Sequence, residues 1–167
     1  MEEGKNTTLL NPSSIGLNNV DYSVEYSLKD GRLRHLNSIS NLIVNGKETG
    51  ILMINITFKE NLKSMLGMFK GCENLIDIDL TNLNTSKLEN INSLYENCNN
   101  LEKINFFNTK LNKIREINNI FNGCENLVEI ENLDKINMSN IKKANNMFKN
   151  CKSIRSINLS NIYLDKA

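Results

Sequence analysis

Met68-Phe69-Lys70-Gly71-Cys72-Glu73-Asn74-Leu75-Ile76-Asp77-Ile78-Asp79-Leu80 is the stretch whose reading decides the fold. An apolar pair ends three residues before a cysteine, and aliphatics follow that cysteine three and six residues later. The arrangement returns three times. Cys98 follows Leu94-Tyr95 and precedes Leu101 and Ile104. Cys124 follows Ile120-Phe121 and precedes Leu127 and Ile130, and Cys151 follows Met147-Phe148 and precedes Ile154 and Ile157. The cysteines are 26, 26 and 27 residues apart, so one unit is repeated in register.

Working outward, the same offsets stay apolar. Seven residues before each cysteine stand Met65, Ile91, Ile117 and Ala144; ten before stand Leu62, Leu88, Ile114 and Ile141. An apolar side chain every three or four residues predicts one side of a short helical or 3-10-like segment. A polar turn follows, where Gly71, Asn97, Gly123 and Asn150 occupy one position and can supply a positive φ. A strand comes next: Leu75-x-x-Ile78-x-Leu80, Leu101-x-x-Ile104-x-Phe106 and Ile154-x-x-Ile157-x-Leu159. The third copy, Leu127-x-x-Ile130-Glu131-Asn132-Leu133, carries one extra residue, which predicts a bulge in the sheet. A fixed period of about 20–29 residues around an L-x-x-L-x-L core is the pattern of a leucine-rich-repeat solenoid. The expected fold class is therefore an α/β repeat solenoid, a right-handed coil with a parallel sheet on its concave face. One coil cannot bury its apolar side alone, whereas stacked coils can.

The residues after each strand carry a resemblance. Asp79-Leu80-Thr81-Asn82-Leu83-Asn84-Thr85-Ser86 runs into Leu88, Ile91, Leu94-Tyr95 and Cys98. Ile136-Asn137-Met138-Ser139-Asn140-Ile141 leads to Ala144, Met147-Phe148 and Cys151, while Thr109-Lys110-Leu111-Asn112 departs from the pattern. This resembles the BspA-like leucine-rich repeat of bacterial and protist surface proteins, over about residues 62–167. The resemblance implies a surface protein engaged in adhesion or binding to host matrix.

The ends differ from the repeats. Asn41-Leu42-Ile43-Val44 and Ile51-Leu52-Met53-Ile54-Asn55-Ile56-Thr57-Phe58 are strand-like and flank a turn beginning Asn45-Gly46, a strong hairpin signal. Tyr22–Leu28 alternates weakly and adds a further strand. Residues 21–61 are thus expected to form an N-terminal β-hairpin cap, residues 1–20 a loose leader, and residues 62–167 the repeats, the last of them incomplete. The sequence stops at Asp165-Lys166-Ala167, just past the fourth strand. Truncation of a longer protein and an open end that meets another copy or subunit are both compatible with that.

Composition narrows the function. The formal charge of +1 and a 23% charged content give no electrostatic footprint for nucleic acid. No apolar run approaches the ~18 residues of a membrane span. The start, Met1-Glu2-Glu3-Gly4-Lys5-Asn6, has no basic stretch leading into an apolar core, so no signal peptide is visible. Asparagine makes up about a fifth of the chain and travels with Ile and Lys, which reads as the base composition of the source rather than as chemistry. The cysteines are read as a buried ladder of free thiols, since side chains in equivalent positions point the same way into the core. No Cys-x-x-Cys or paired histidine offers a zinc site, and no loop of closely spaced oxygen ligands offers a calcium site.

Catalysis has no support in the residues. His35, in Gly31-Arg32-Leu33-Arg34-His35, has no nucleophile placed beside it, and no phosphate-binding or dinucleotide motif occurs. The expected function is a non-catalytic protein-binding module at the cell surface, with no cofactor; an intracellular scaffold or assembly subunit is the alternative. The candidate partner-binding residues are those between the buried strand positions: Asp77, Lys103, Glu129 and Ser156 in one column, and Asp79, Asn105, Glu131 and Asn158 in the other. They form a mildly acidic, asparagine-rich stripe suited to a basic or hydrogen-bonding protein ligand.

Overall fold

The computed structural model describes residues 7–8, 22–27, 33–36, 43–44, 53–58 and 61–160, apart from 74, 81 and 107. Strands β1 (Thr7–Thr8) and β4 (Ile43–Val44) pair antiparallel, and β2 (Tyr22–Ser27) stands between β3 (Leu33–Leu36) and β5 (Met53–Phe58) in an antiparallel sheet. Among the described residues the expected hairpin between the 41–44 and 51–58 runs is not seen. Instead β5 pairs over its whole length with β2, from Tyr22↔Phe58 to Ser27↔Met53. Six residue pairs outweigh the two that β4 could offer, and β4 is left to Thr7 and Thr8, inside the expected leader. The Asn45-Gly46 turn lies outside the described residues. Ile56 and Phe58 of β5 pack against the core of the repeats.

The repeats stack in parallel register. Strands β6 (Asp77–Asp79), β7 (Lys103–Asn105) and β8 (Glu129–Glu131) align Ile78, Ile104 and Ile130 in one row. The α/β repeat solenoid expected from the sequence is corrected here. Among the described residues there is no α-helix, and the only helical turn is a 3-10 turn at Leu133–Lys135. The leucine-rich-repeat solenoid with its long concave sheet fails with it: the sheet has three strands of three residues, and residues 154–159 of the fourth copy form none. The expected bulge is also absent, because β8 pairs with β7 in unbroken register. The extra residue is absorbed just beyond the strand, where Asn132 turns left-handed (φ 59°) into the 3-10 turn.

The segments before each cysteine bury the expected side chains on a different backbone. Met65, Met68, Ile91, Leu94, Ile114 and Ile117 are all at most 1% exposed. A helix, however, needs an uninterrupted run of right-handed residues. In every copy the fifth residue and the residue immediately before the cysteine are left-handed: Gly67 and Gly71, Ser93 and Asn97, Asn119 and Gly123, Asn146 and Asn150. With φ reset every four residues, alternate N–H groups close tight turns, as in Met68 N–H to the Met65 carbonyl and Lys70 N–H to that of Gly67. The groups between them point along the stack. Met65, Gly67, Phe69 and Gly71 donate to Asn90, Asn92, Leu94 and Glu96, and Ile117, Asn119, Phe121 and Gly123 donate to Lys143, Asn145, Met147 and Lys149. Each repeat therefore hands a row of N–H donors to the next, and the carbonyls of that repeat receive them, which satisfies the backbone without a helix.

Side chains build parallel ladders on this frame. The rings of Phe69, Tyr95, Phe121 and Phe148 stack face to face, with centroids 5.5, 5.7 and 5.6 Å apart. All four cysteines are free thiols. Cys98, Cys124 and Cys151 donate their S–H to the carbonyls of Phe69, Tyr95 and Phe121 in the preceding repeat, at 2.9, 3.0 and 3.0 Å. Asparagines add a third ladder: Asn92 Oδ1 accepts from Asn118 N–H, and Asn118 Oδ1 accepts from Asn145 N–H. Gly123 also gives the Asn97 side chain of the repeat before its room, since a Cβ there would press on the Asn97 amide and turn it aside.

Candidate functional site

Six of the eight sequence-chosen residues come together on the face of β6–β8. Asp77, Lys103 and Glu129 are aligned across the three strands, and Asp79, Asn105 and Glu131 form the parallel row. Parallel pairing without stagger places like charges side by side wherever a column repeats an acid. Lys103 prevents that between Asp77 and Glu129, and its ammonium meets Glu129 Oε2 at 2.6 Å and Glu131 Oε1 at 3.7 Å. The hydrogen bond and charge of Glu129 hold the Lys103 pKa above its ordinary value. Asn132 Nδ2 donates to Asn105 Oδ1 at 2.9 Å, tying the second row to the turn after β8. Ser156 and Asn158 are exposed in the fourth copy but lie on no strand, so the face does not continue to them in the sheet.

Ion pairs link successive repeats elsewhere too. Lys70 reaches Glu96 at 2.8 Å, Lys143 reaches Glu116 at 2.9 Å, and Lys152 reaches Glu125 at 2.8 Å. Burial pushes the Glu96 carboxyl up, but hydrogen bonds from Lys70, Ser93 and Asn122 and the Lys70 charge outweigh it, leaving that pKa lowered. At the exposed pairs such contacts fix register more than they add stability.

A groove of about 600 Å³ runs beside Leu83, Thr85, Phe106, Thr109 and Ile136, with Lys110 and Lys135 at its exposed rim. Thr85 Oγ1 accepts Lys110 N–H at 2.6 Å, while the buried Thr109 Oγ1 has no partner. Thr109 stands in the column that Leu83 and Ile136 fill elsewhere, so the second copy's departure from the repeat pattern puts a hydroxyl at an apolar position. No group of His, Cys, Asp or Glu among the described residues could hold a metal ion. Arg34 and His35 lie on β3, paired with Tyr26 and Glu25 of β2; Arg32 lies outside the described residues. Among the described residues no helix is long and apolar enough to cross a membrane.

Sequence reasoning missed the charge of the fourth copy. Lys142, Lys143, Lys149, Lys152 and Arg155 give residues 141–160 five positive charges and no acid. Counting charge per repeat, instead of over the whole chain, would have found it.

The geometry defines a class: a protein of stacked 26-residue rungs held by backbone, thiol, ring and asparagine ladders, with a polar strand face. Residues 58–164 match a family model described as Mycoplasma protein of unknown function, DUF285, and the chain belongs to that family. A search of the curated proteins found no match, and neither did a search of the solved structures.

Proposed function

We propose that this protein is a non-catalytic protein-binding module displayed at the cell surface, and that it engages its ligand through the β6–β8 face. The observation that carries the reading is the fixed grid of polar side chains on that face: Asp77, Asp79, Lys103, Asn105, Glu129 and Glu131, held in rows by in-register parallel strands. Such a grid presents charge at set spacing with little ordering cost on binding. Four carboxylates against one ammonium favour a basic protein ligand. Surface display rests on the resemblance of 62–167 to the BspA-like surface repeats.

Protease treatment of intact source cells, followed by mass spectrometry, tests the placement. Release of peptides from 62–160 before lysis is expected; peptides seen only after lysis would overturn surface display and leave an internal assembly role. Proteins captured by the wild-type chain and lost with Asp77→Lys/Asp79→Lys would identify the ligand. Equal capture by both would move binding off this face.

A further inference from the structure

The second repeat departs from its neighbours at two adjacent positions, and both lie in one groove. By register Thr109 stands level with Leu83 and Ile136, and Lys110 stands level with Asn84 and Asn137. The first of these columns, Leu83, Thr109 and Ile136, is the buried or half-buried floor of the groove, and the exposed Asn84 and Lys110 form one rim. Asn82, Asn108 and Lys135, again level with one another and exposed, form the opposite rim. The groove therefore runs along the stack, across the first three repeats. Threonine is smaller than the leucine and isoleucine on either side of it, which leaves room at the centre of the floor. There the Thr109 hydroxyl is buried without a partner. The volume of about 600 Å³ lies within the roughly 300–1,000 Å³ of small-ligand sites.

We propose that this groove binds a linear, carboxylate-bearing saccharide lying along the stack. Each rim is made of side-chain amides and one ammonium, and no carboxylate lines the groove. An amide donates and accepts at once, as a sugar hydroxyl does, and an ammonium pairs with a carboxylate. The number of charges narrows the class. Lys135 shares its ammonium with Asp134 at 3.0 Å, so Lys110 carries the central charge, between the amides of Asn84 and Asn137 in its column. One ammonium between two amides suits a chain with a carboxylate on every second sugar, and falls short of what a densely sulfated chain would need.

A peptide fits the groove less well. The N–H groups of Leu83, Thr109, Lys110, Lys135 and Ile136 are bonded within the chain, so recognition falls to side chains and not to strand addition. Phe106 and Ile136 are 3 and 2% exposed, which leaves little apolar surface to seat an anchoring side chain. The groove shares no residue with the polar grid of β6–β8, so this site goes beyond the protein-binding face and stands apart from it.

The probe is a hexasaccharide of alternating glucuronate and N-acetylglucosamine, titrated against the full chain by isothermal calorimetry. Lys110→Asn and Thr109→Leu each put into the second repeat the residue that its column holds in the first, so both variants are expected to keep the wild-type melting midpoint. Saturable binding is expected, weakened at least about tenfold by Lys110→Asn, which removes the charge, and by Thr109→Leu, which fills the floor. The neutral hexamer of N-acetylglucosamine is expected to bind at least about tenfold more weakly than the probe. No saturation by about 10 mM probe, or unchanged affinity in either variant, overturns the proposal. Equal binding of the neutral hexamer overturns it as well. Tighter binding of a heparin hexasaccharide or of hexaglutamate would do the same, in favour of charge alone or of an acidic peptide.

Discussion

The two ends of the repeat stack are built from the same columns and differ in what covers them. At the first repeat Cys72, Met68 and Phe69 are 0, 1 and 6% exposed, with Ile56 and Phe58 among the side chains packed on that core. At the fourth repeat the equivalent Cys151 and Phe148 are half-buried, and the strand positions Ile154 and Ile157 belong to no strand. Burial follows from the neighbours on both sides, since the residues themselves are nearly the same. The thiols record the gradient: burial pushes Cys72 up to about 12, the central Cys98 higher still, and Cys151 only to about 11.

The largest expected effect is on thiol reactivity. Under native conditions an aromatic disulfide reagent should modify Cys151 first, with Cys72, Cys98 and Cys124 slower by about two orders of magnitude, because their reaction waits for opening. Mapping the modified peptide by mass spectrometry checks this, and labelling of Cys72 at the rate of Cys151 would break the comparison. Next, Phe69→Ala should cost about 3–5 kcal/mol in urea unfolding and Phe148→Ala roughly half of that. Equal losses would mean that the fourth ring is covered as well as the first.

Alkaline pH reads the same ladder through its protons. The buried thiols hold their protons more tightly folded than unfolded, so their stabilisation is whole below the ordinary value of 9.0 and drains as pH rises towards about 12. Between pH 9 and 10 each fully buried thiol should remove about 1 kcal/mol, a loss that alanine at Cys72 and Cys124 should reduce. A flat profile would contradict thiol burial. Asn119→Ala should then cost about 1–2 kcal/mol and Asn119→Gly much less, because φ is 55° there. Similar losses from both would show that the side chain, not the backbone, is what matters. The smallest effect is a gain: Tyr95→Phe should stabilise by about 1 kcal/mol, as the Tyr95 hydroxyl is buried with no partner while its ring is stacked on both sides. A loss of stability would mean that the hydroxyl is satisfied.

Much of the repeat was legible. The cysteine register predicted which side chains are buried, and the strand columns predicted six of the residues that β6–β8 bring together. The turn before each cysteine was misjudged because an apolar contact every three or four residues fits both a helix and a chain of tight turns. Gly67, Ser93, Asn119 and Asn146 held the deciding signal, a left-handed position in every copy. The asparagine content was misjudged with it. Asn97, Asn119, Asn146 and Asn150 supply positive φ, and Asn92 and Asn118 carry a ladder of hydrogen bonds, so the residue is structural here.

By itself the sequence determined the period, the register and the identity of the core, because each depends only on which residue types recur at which offset. Tertiary structure decided the rest. Whether an N–H closes a turn or crosses to the next repeat depends on φ at its neighbours and on a carbonyl 25 or 26 residues away. β5 chose β2 over β4 because pairing energy sums along a ladder whose partner is distant in the chain. Which backbone donors are satisfied is likewise decided only once the stack is built, by what lies beside them in space.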